Sequence, residues 1–190
     1  MAAARLSKVN TSKRNQKIKM AKEFLPLSIS VLTISDTRTL ENDTAGDTLI
    51  NRLTQAGHKL AERAIAPDSI YRIRAVVSNW LVDDKTQVIL TTGGTGVTGR
   101  DGTPEAITPL LDKELVGFGE LFRAISYQRI GSSSMQSRCL AGVANGKYIF
   151  CVPGSVDACE TAWDHLLLTQ LDARTMPCNF AKLVPRLTER

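Results

Sequence analysis

The chain has 190 residues, 43% of them hydrophobic, and a formal net charge of +5. That length suits one domain with a substantial core, and no apolar run approaches the ~18 residues that span a membrane. The charge does not mark a nucleic-acid surface, because residues 1–22 hold seven basic side chains and no acid, which leaves 17 basic against 19 acidic groups, about −2, for the rest.

The basic leader, taken as residues 1–24, is nearly free of aromatic side chains. It reads as solvated and disordered, not as a nucleic-acid arm, and it lacks the apolar segment of a secretory signal. After it, Leu27 to Ile34 reads as a buried first strand, followed by a polar loop from Ser35-Asp36-Thr37-Arg38 to Asn42-Asp43. A helix is predicted from Thr44 to about Ala56, with Leu49, Ile50 and Leu53 on one face and Gly57 as its stop. His58 to Ile65 fits a second strand, and Pro67-Asp68-Ser69 a turn whose serine can cap a helix carrying Ile70, Ile73, Val77, Trp80 and Leu81.

A third strand, Gln87-Val88-Ile89-Leu90, runs into Thr91-Thr92-Gly93-Gly94-Thr95-Gly96. Thr103 reads as an N-cap, Pro104 as the first helical residue and Glu105 as a first-turn acid. Helices follow near 104–112 and 118–127. Strands at Arg138 to Val143 and Lys147 to Val152 flank Asn145-Gly146, a two-residue hairpin signal. Pro153-Gly154-Ser155 ends the last strand and caps a helix to about Leu171, and the remainder, including 181–190, reads as irregular. This alternation predicts an α/β sandwich over 25–180, with a mainly parallel sheet and one antiparallel hairpin. Ligands of such sheets bind outside the carboxyl ends of the strands. Four loops meet there: Ser35-Asp36, Pro67-Asp68, Gly93 to Asp101 and Pro153-Gly154-Ser155.

Glycines after a strand let backbone amides approach an anion without a Cβ in the way, so the loop Gly93 to Gly96, with the hydroxyls of Thr92 and Thr95, is a phosphate-site candidate. A tight connection is its plain alternative. Neither a Walker A motif nor a dinucleotide fingerprint is present. Asp68 and Asp101 are each a turn residue or cap when taken alone, and together they can hold Mg²⁺ beside a phosphate. Arg100 either neutralises phosphate charge or makes a surface ion pair, and Glu120 either orients a polar group of a substrate or is an ordinary helix acid. His58 and His165 lack the spacing of zinc ligands. The serines at 132–134 and 137 come without a nucleophile elbow. Cys139, Cys151, Cys159 and Cys178 show no C-x-x-C pairing, so reduced, mostly buried thiols in a cytoplasmic protein are expected.

Thr91 to Gly96, the run Arg100 to Ala106, Gly117-Phe118-Gly119-Glu120 and Pro153-Gly154 together resemble the MoaB/Mog family of molybdenum cofactor biosynthesis proteins over residues 27 to 180. Gln170 to Arg174 and Pro177-Cys178-Asn179 resemble its MoaB branch. The resemblance implies a three-layer molybdopterin-binding fold and a homotrimer or homohexamer. It implies molybdopterin, a pterin dithiolene with a terminal phosphate, as ligand and other molybdenum cofactor pathway proteins as partners. In Mog-type members it implies adenylylation of that phosphate with ATP and Mg²⁺. By position, the catalytic acids and metal ligands fall on Asp68 and Asp101, and the phosphate loop on Gly93, Gly94, Thr95 and Gly96. Pterin contacts fall on Ser126 and, allowing one inserted residue, on Ser137, and Pro153, Gly154 and Ser155 close the site. Val156 departs from the second proline of Mog-type loops, and some members of the MoaB branch lack catalysis. Two functions are therefore carried forward: a molybdopterin adenylyltransferase, which both retained aspartates favour, and a non-catalytic molybdopterin-binding or scaffold protein. A generic binder of phosphate ligands is a more distant alternative.

Overall fold

The computed structural model describes residues 23–189, so residues 1–22 of the basic leader lie outside the described residues. A six-stranded sheet in the order β2-β1-β3-β6-β5-β4 organises the chain. Its strands are β1 (Ser28–Ile34), β2 (Lys59–Ala66), β3 (Val88–Thr92), β4 (Lys113–Glu114), β5 (Leu140–Ala144) and β6 (Lys147–Val152). β2, β1, β3 and β6 pair in parallel, and β5 runs antiparallel to both β6 and β4.

Strict alternation of side chains divides the core into two layers. Ile29, Val31, Val88, Leu90, Tyr148 and Phe150 face one way, against α1 (Thr44–Gln55), α4 (Val116–Ile130) and α5 (Val156–Ala162). Leu32, Ile34, Ile89, Ile149 and Cys151 face the other way, against α2 (Ile70–Val82) and α3 (Thr103–Ile107). The fold is thus the three-layer α/β sandwich that the sequence predicts. Because β1, β3 and β6 are covered on both faces, they read as continuous apolar runs.

Local signals explain the boundaries. Gly57 takes φ +91°. There Gly57 N donates to Thr54 O at 3.0 Å and His58 N to Leu53 O at 2.9 Å, which closes the exposed carbonyls of α1. The β5–β6 turn puts Asn145 at φ 44° and Gly146 at φ 72°, the left-handed pair that a two-residue hairpin needs. Four expectations are corrected. α3 stops at Ile107 and passes through a 3-10 turn, Thr108–Leu110, into β4, because Pro109 cannot donate to a continuing helix. α4 extends beyond 118–127 at both ends, and the strand expected from Arg138 starts at Leu140. Beyond Leu171, a 3-10 helix at Ala181–Arg186 packs Ala181 and Phe180 onto the aromatic core.

Phe150 is fully buried and lies 5.2 Å from Phe118 and 5.8 Å from Phe180, centroid to centroid. Phe150→Ala is expected to cost about 3–5 kcal/mol of stability in urea denaturation, and a loss below about 1 kcal/mol would show that this aromatic layer does not hold the helices to the sheet.

Candidate functional site

β1 lies between β2 and β3, and α1 and α2 cover opposite faces of the sheet, so the topological switch point falls between β1 and β3. β3 ends there in two successive left-handed glycines, Gly93 at φ +106° and Gly94 at φ +64°. A Cβ on Gly93 would run into Ile34 O of the neighbouring strand end. The turn is fixed from several sides. Gly93 N donates to Val152 O at 3.0 Å, and Thr103 donates from its hydroxyl to Gly93 O at 2.8 Å and from its amide to Gly94 O at 2.9 Å. Thr103 is therefore not the expected N-cap: Gly102 holds that position, and the Thr103 hydroxyl is spent on the turn. Among the described residues, nothing accepts from the amides of Gly94 and Thr95.

A cavity of about 820 Å³ opens over this turn. Of the residues predicted from sequence, Thr92, Gly93, Gly94, Thr95, Gly96, Asp101, Ser126, Ser137, Pro153, Gly154 and Ser155 all line it. Thr92 Oγ1 donates to Pro153 O at 3.0 Å and locks the two loops together, and Ser155 caps α5 by accepting from Ala158 N. Ser137 Oγ is buried in the cavity wall, with the Cys139 thiol as its neighbour.

Asp68 lies outside this cavity, in an adjoining one of about 420 Å³ that Asp101 and Arg100 also line. The two aspartates nonetheless flank the same turn. A Cβ on Gly94 would stand 3.0 Å from Asp68 Oδ2, and one on Gly96 would stand 2.7 Å from Asp101 Oδ2. Asp101 Oδ2 accepts from Thr98 Oγ1 at 2.6 Å and from Thr98 N at 2.8 Å, and these bonds hold its carboxyl below the usual range. Asp68 accepts from Gly102 N at 3.1 Å, yet burial, aided by the nearby Asp101 and Asp36 carboxylates, pushes its carboxyl upward. Arg100 forms an ion pair with Asp36 and is largely exposed. Glu120 lies on the exposed side of α4, away from both cavities.

Sequence reasoning missed the braces of the site. Arg138 donates to Gly96 O at 2.6 Å and Asp101 O at 2.8 Å, and its guanidinium also pairs with Glu105. One side chain thus spans both ends of the glycine loop and the start of α3. Asp43 is buried, caps α1 through Gly46 N, accepts from Thr33 Oγ1 at 2.7 Å and pairs with Arg63. Its position directly before the predicted helix was a legible cap signal. Arg129 on α4 reaches Asp157 and Thr161 on α5, and Arg129 and Asp157 both line the large cavity.

Asp36, Asp68 and Asp101 lie close enough to raise one carboxyl by repulsion, which a cation relieves. Among the described residues, no cluster of three or more His, Cys, Asp or Glu could hold a metal ion. Asp68 and Asp101 are the two carboxylates beside the turn that a Mg²⁺ ion, with the rest of its shell from water and phosphate, would use. Cys139, Cys151 and Cys159 are buried free thiols, and burial pushes Cys151 and Cys159 up to about 12 and about 11, which disfavours their thiolates.

Comparison with known proteins decides the family. Residues 30–173 match the family model described as "Probable molybdopterin binding domain". The chain belongs to the MoaB/Mog family. It is 51% identical over 158 residues to molybdenum cofactor biosynthesis protein B of Escherichia coli K12, covering 83% of this chain and 93% of that one. A crystal structure of a molybdenum cofactor biosynthesis protein B superposes with a TM-score of 0.81 at 40% identity, covering 89% of this chain and 100% of the other. The tungsten cofactor synthesizing protein MoaB of Pyrococcus furiosus gives 0.68 at 33% identity over 75% and 91% of the two chains. No helix among the described residues is long and apolar enough to cross a membrane.

A carboxyl raised by burial and repulsion costs folding free energy while it is ionised, and the cost fades as pH falls through its raised native pKa. Asp68→Asn keeps an acceptor for Gly102 N and should therefore raise the Tm of the ligand-free protein at pH 7, with the advantage shrinking toward pH 4. A Tm for this variant equal to wild type at pH 7 would show that Asp68 carries no such repulsion.

Proposed function

We propose that this chain binds molybdopterin and adenylylates its terminal phosphate with Mg²⁺ and ATP. The observation that carries the reading is the glycine turn at the switch point. Two amides without protein acceptors, on Gly94 and Thr95, stand in the wall of a large cavity, flanked by Asp68 and Asp101. Backbone donors held in place before the substrate arrives stabilise charge without reorganisation cost. Joining two anionic phosphates asks for such neutralisation and for in-line positioning more than for covalent help from side chains.

In this reading the 820 Å³ cavity takes the pterin, with Ser126 and Ser137 in its lining. Gly93 to Gly96 cradle the phosphate, and Pro153 to Ser155 close the cavity beside it. Asp68 and Asp101 would hold Mg²⁺, which when bound neutralises phosphate charge. Arg138 keeps the cradle in shape, and Arg100, exposed and paired with Asp36, is able to turn toward a phosphate. Assembly as a homotrimer or homohexamer belongs to the same proposal, supported by the exposed apolar side chains Val116, Leu121, Tyr127 and Ile130 along α4.

Purified protein given molybdopterin, ATP and Mg²⁺ should form adenylylated molybdopterin, identified by product mass. Asp101→Asn should lower turnover on the order of 100-fold while molybdopterin still binds. Saturable molybdopterin binding with no product would replace this reading with the non-catalytic one.

A further inference from the structure

The carbonyls that Arg138 holds belong to particular peptide units, and that choice has a consequence for both aspartates. Its Nε donates to Gly96 O at 2.6 Å, and a terminal nitrogen donates to Asp101 O at 2.8 Å. Its backbone amide donates to Thr95 O at 3.0 Å. In a trans peptide unit the carbonyl and the N–H point in opposite directions. Drawing Thr95 O toward Arg138 therefore turns the Gly96 amide the other way, and drawing Asp101 O toward it turns the Gly102 amide the other way.

Those two amides meet the two aspartates of the site. Gly102 N donates to Asp68 Oδ1 at 3.1 Å. The Asp101 carboxyl is held low by the Thr98 hydroxyl first and, against burial, by the amides of Thr98 and Gly96 and the charge of Arg138. Nothing local fixes either orientation. Both units end in glycine, the residue that lets a peptide unit turn over at little cost, the change by which type I and type II turns differ. The restraint comes from 42 and 37 residues away, through a planar guanidinium whose donors reach two carbonyls at once. The guanidinium is itself anchored by its ion pair with Glu105.

We infer that Arg138 is the positioning residue of both aspartates. By holding Thr95 O, Gly96 O and Asp101 O, it turns the Gly96 and Gly102 amides onto Asp101 and Asp68 and sets the two carboxyls toward one cation. The inference rests on the adenylylation reading for the use of that cation, and on geometry alone for the orientation of the amides. Charge by itself argues for the opposite effect on a metal. A cation beside two carboxylates weakens their hold on a second cation, so removing Arg138 would tighten metal binding if it acted only through its field. Acting through the peptide units, its removal loosens metal binding.

The test compares the full chain with Arg138→Gln and Glu105→Gln, by amide hydrogen exchange in ¹H–¹⁵N spectra and by Mn²⁺ binding in electron paramagnetic resonance. In Arg138→Gln, the Gly96 and Gly102 amides should exchange about tenfold faster or more, because each loses a bond to a charged acceptor. The Gly93 amide, which donates to Val152 O, should stay as protected as in wild type and so checks the fold of the turn. Mn²⁺ should bind Arg138→Gln about tenfold or more weakly, as metals do when the groups that orient their ligands are lost. Glu105→Gln breaks the ion pair and leaves the carbonyl bonds, so both amides should remain within about twofold of wild type.

Unchanged exchange at Gly96 and Gly102 in Arg138→Gln, or tighter Mn²⁺ binding by that variant, would overturn the inference, as would a wild type that binds no Mn²⁺. An equal opening of Gly93 would overturn it by making Arg138 a general support of the turn. An equal effect of Glu105→Gln would do so by assigning the effect to the ion pair. If the amides and Mn²⁺ respond as stated while wild type forms no adenylylated product, the positioning stands and the adenylylation reading fails.

Discussion

Where β1 and β3 part, the backbone of Gly93 passes so close to Ile34 O that no side chain fits between them. The chain must turn there in a left-handed conformation, and it does so twice in succession. Everything that defines the site follows from that close approach. It brings the ends of β1, β3 and β6 to one point. It also spends the Thr103 hydroxyl and amide on carbonyls of the turn and leaves two amides of the loop unclaimed. A side chain at Gly93 would remove the turn and the cradle together.

Around this turn the protein separates its charges. Carboxylates from three different loops, Asp36, Asp68 and Asp101, gather on one side, and the cations near them are engaged: Arg100 by Asp36, Arg138 by Glu105 and loop carbonyls. Burial and the neighbouring carboxylates raise Asp68, and the Thr98 bonds lower Asp101, so two similar side chains in one loop cluster have opposite tendencies. Perturbed carboxyls gathered in a cleft are a feature of functional sites. In the proposed reading, a cation and two phosphates complete this charge pattern, so the free protein is strained where the substrates bind.

The sequence carried local instructions well and long-range ones poorly. Gly57, Asn145-Gly146 and the glycine turn were readable because each position needs a left-handed backbone that few residues adopt. The alternating cores of β1, β3 and β6 were readable as apolar runs. β4 is two residues long and has no periodicity to detect. Arg138 was invisible as a brace because its partners lie 42 and 37 residues away in sequence, and nothing local distinguishes it from any other arginine. Glu120 shows the limit of a motif: it falls within a recognisable run, and the fold sets it on the exposed face of its helix, outside the lining of both cavities. The strand-end loops already grouped Asp68 with Asp101, similarity to a family gave them roles, and the division of the site into two adjoining cavities emerged only from the folded chain.

The amides of Gly94 and Thr95 report most directly on whether this turn cradles phosphate. In ¹H–¹⁵N spectra of the full chain titrated with pyrophosphate and Mg²⁺, these two resonances should move downfield and saturate together, as amides do when they donate to an anion. If they stay in place while amides elsewhere respond, the turn is a tight connection between strand and helix, and the phosphate site lies in another part of the molecule.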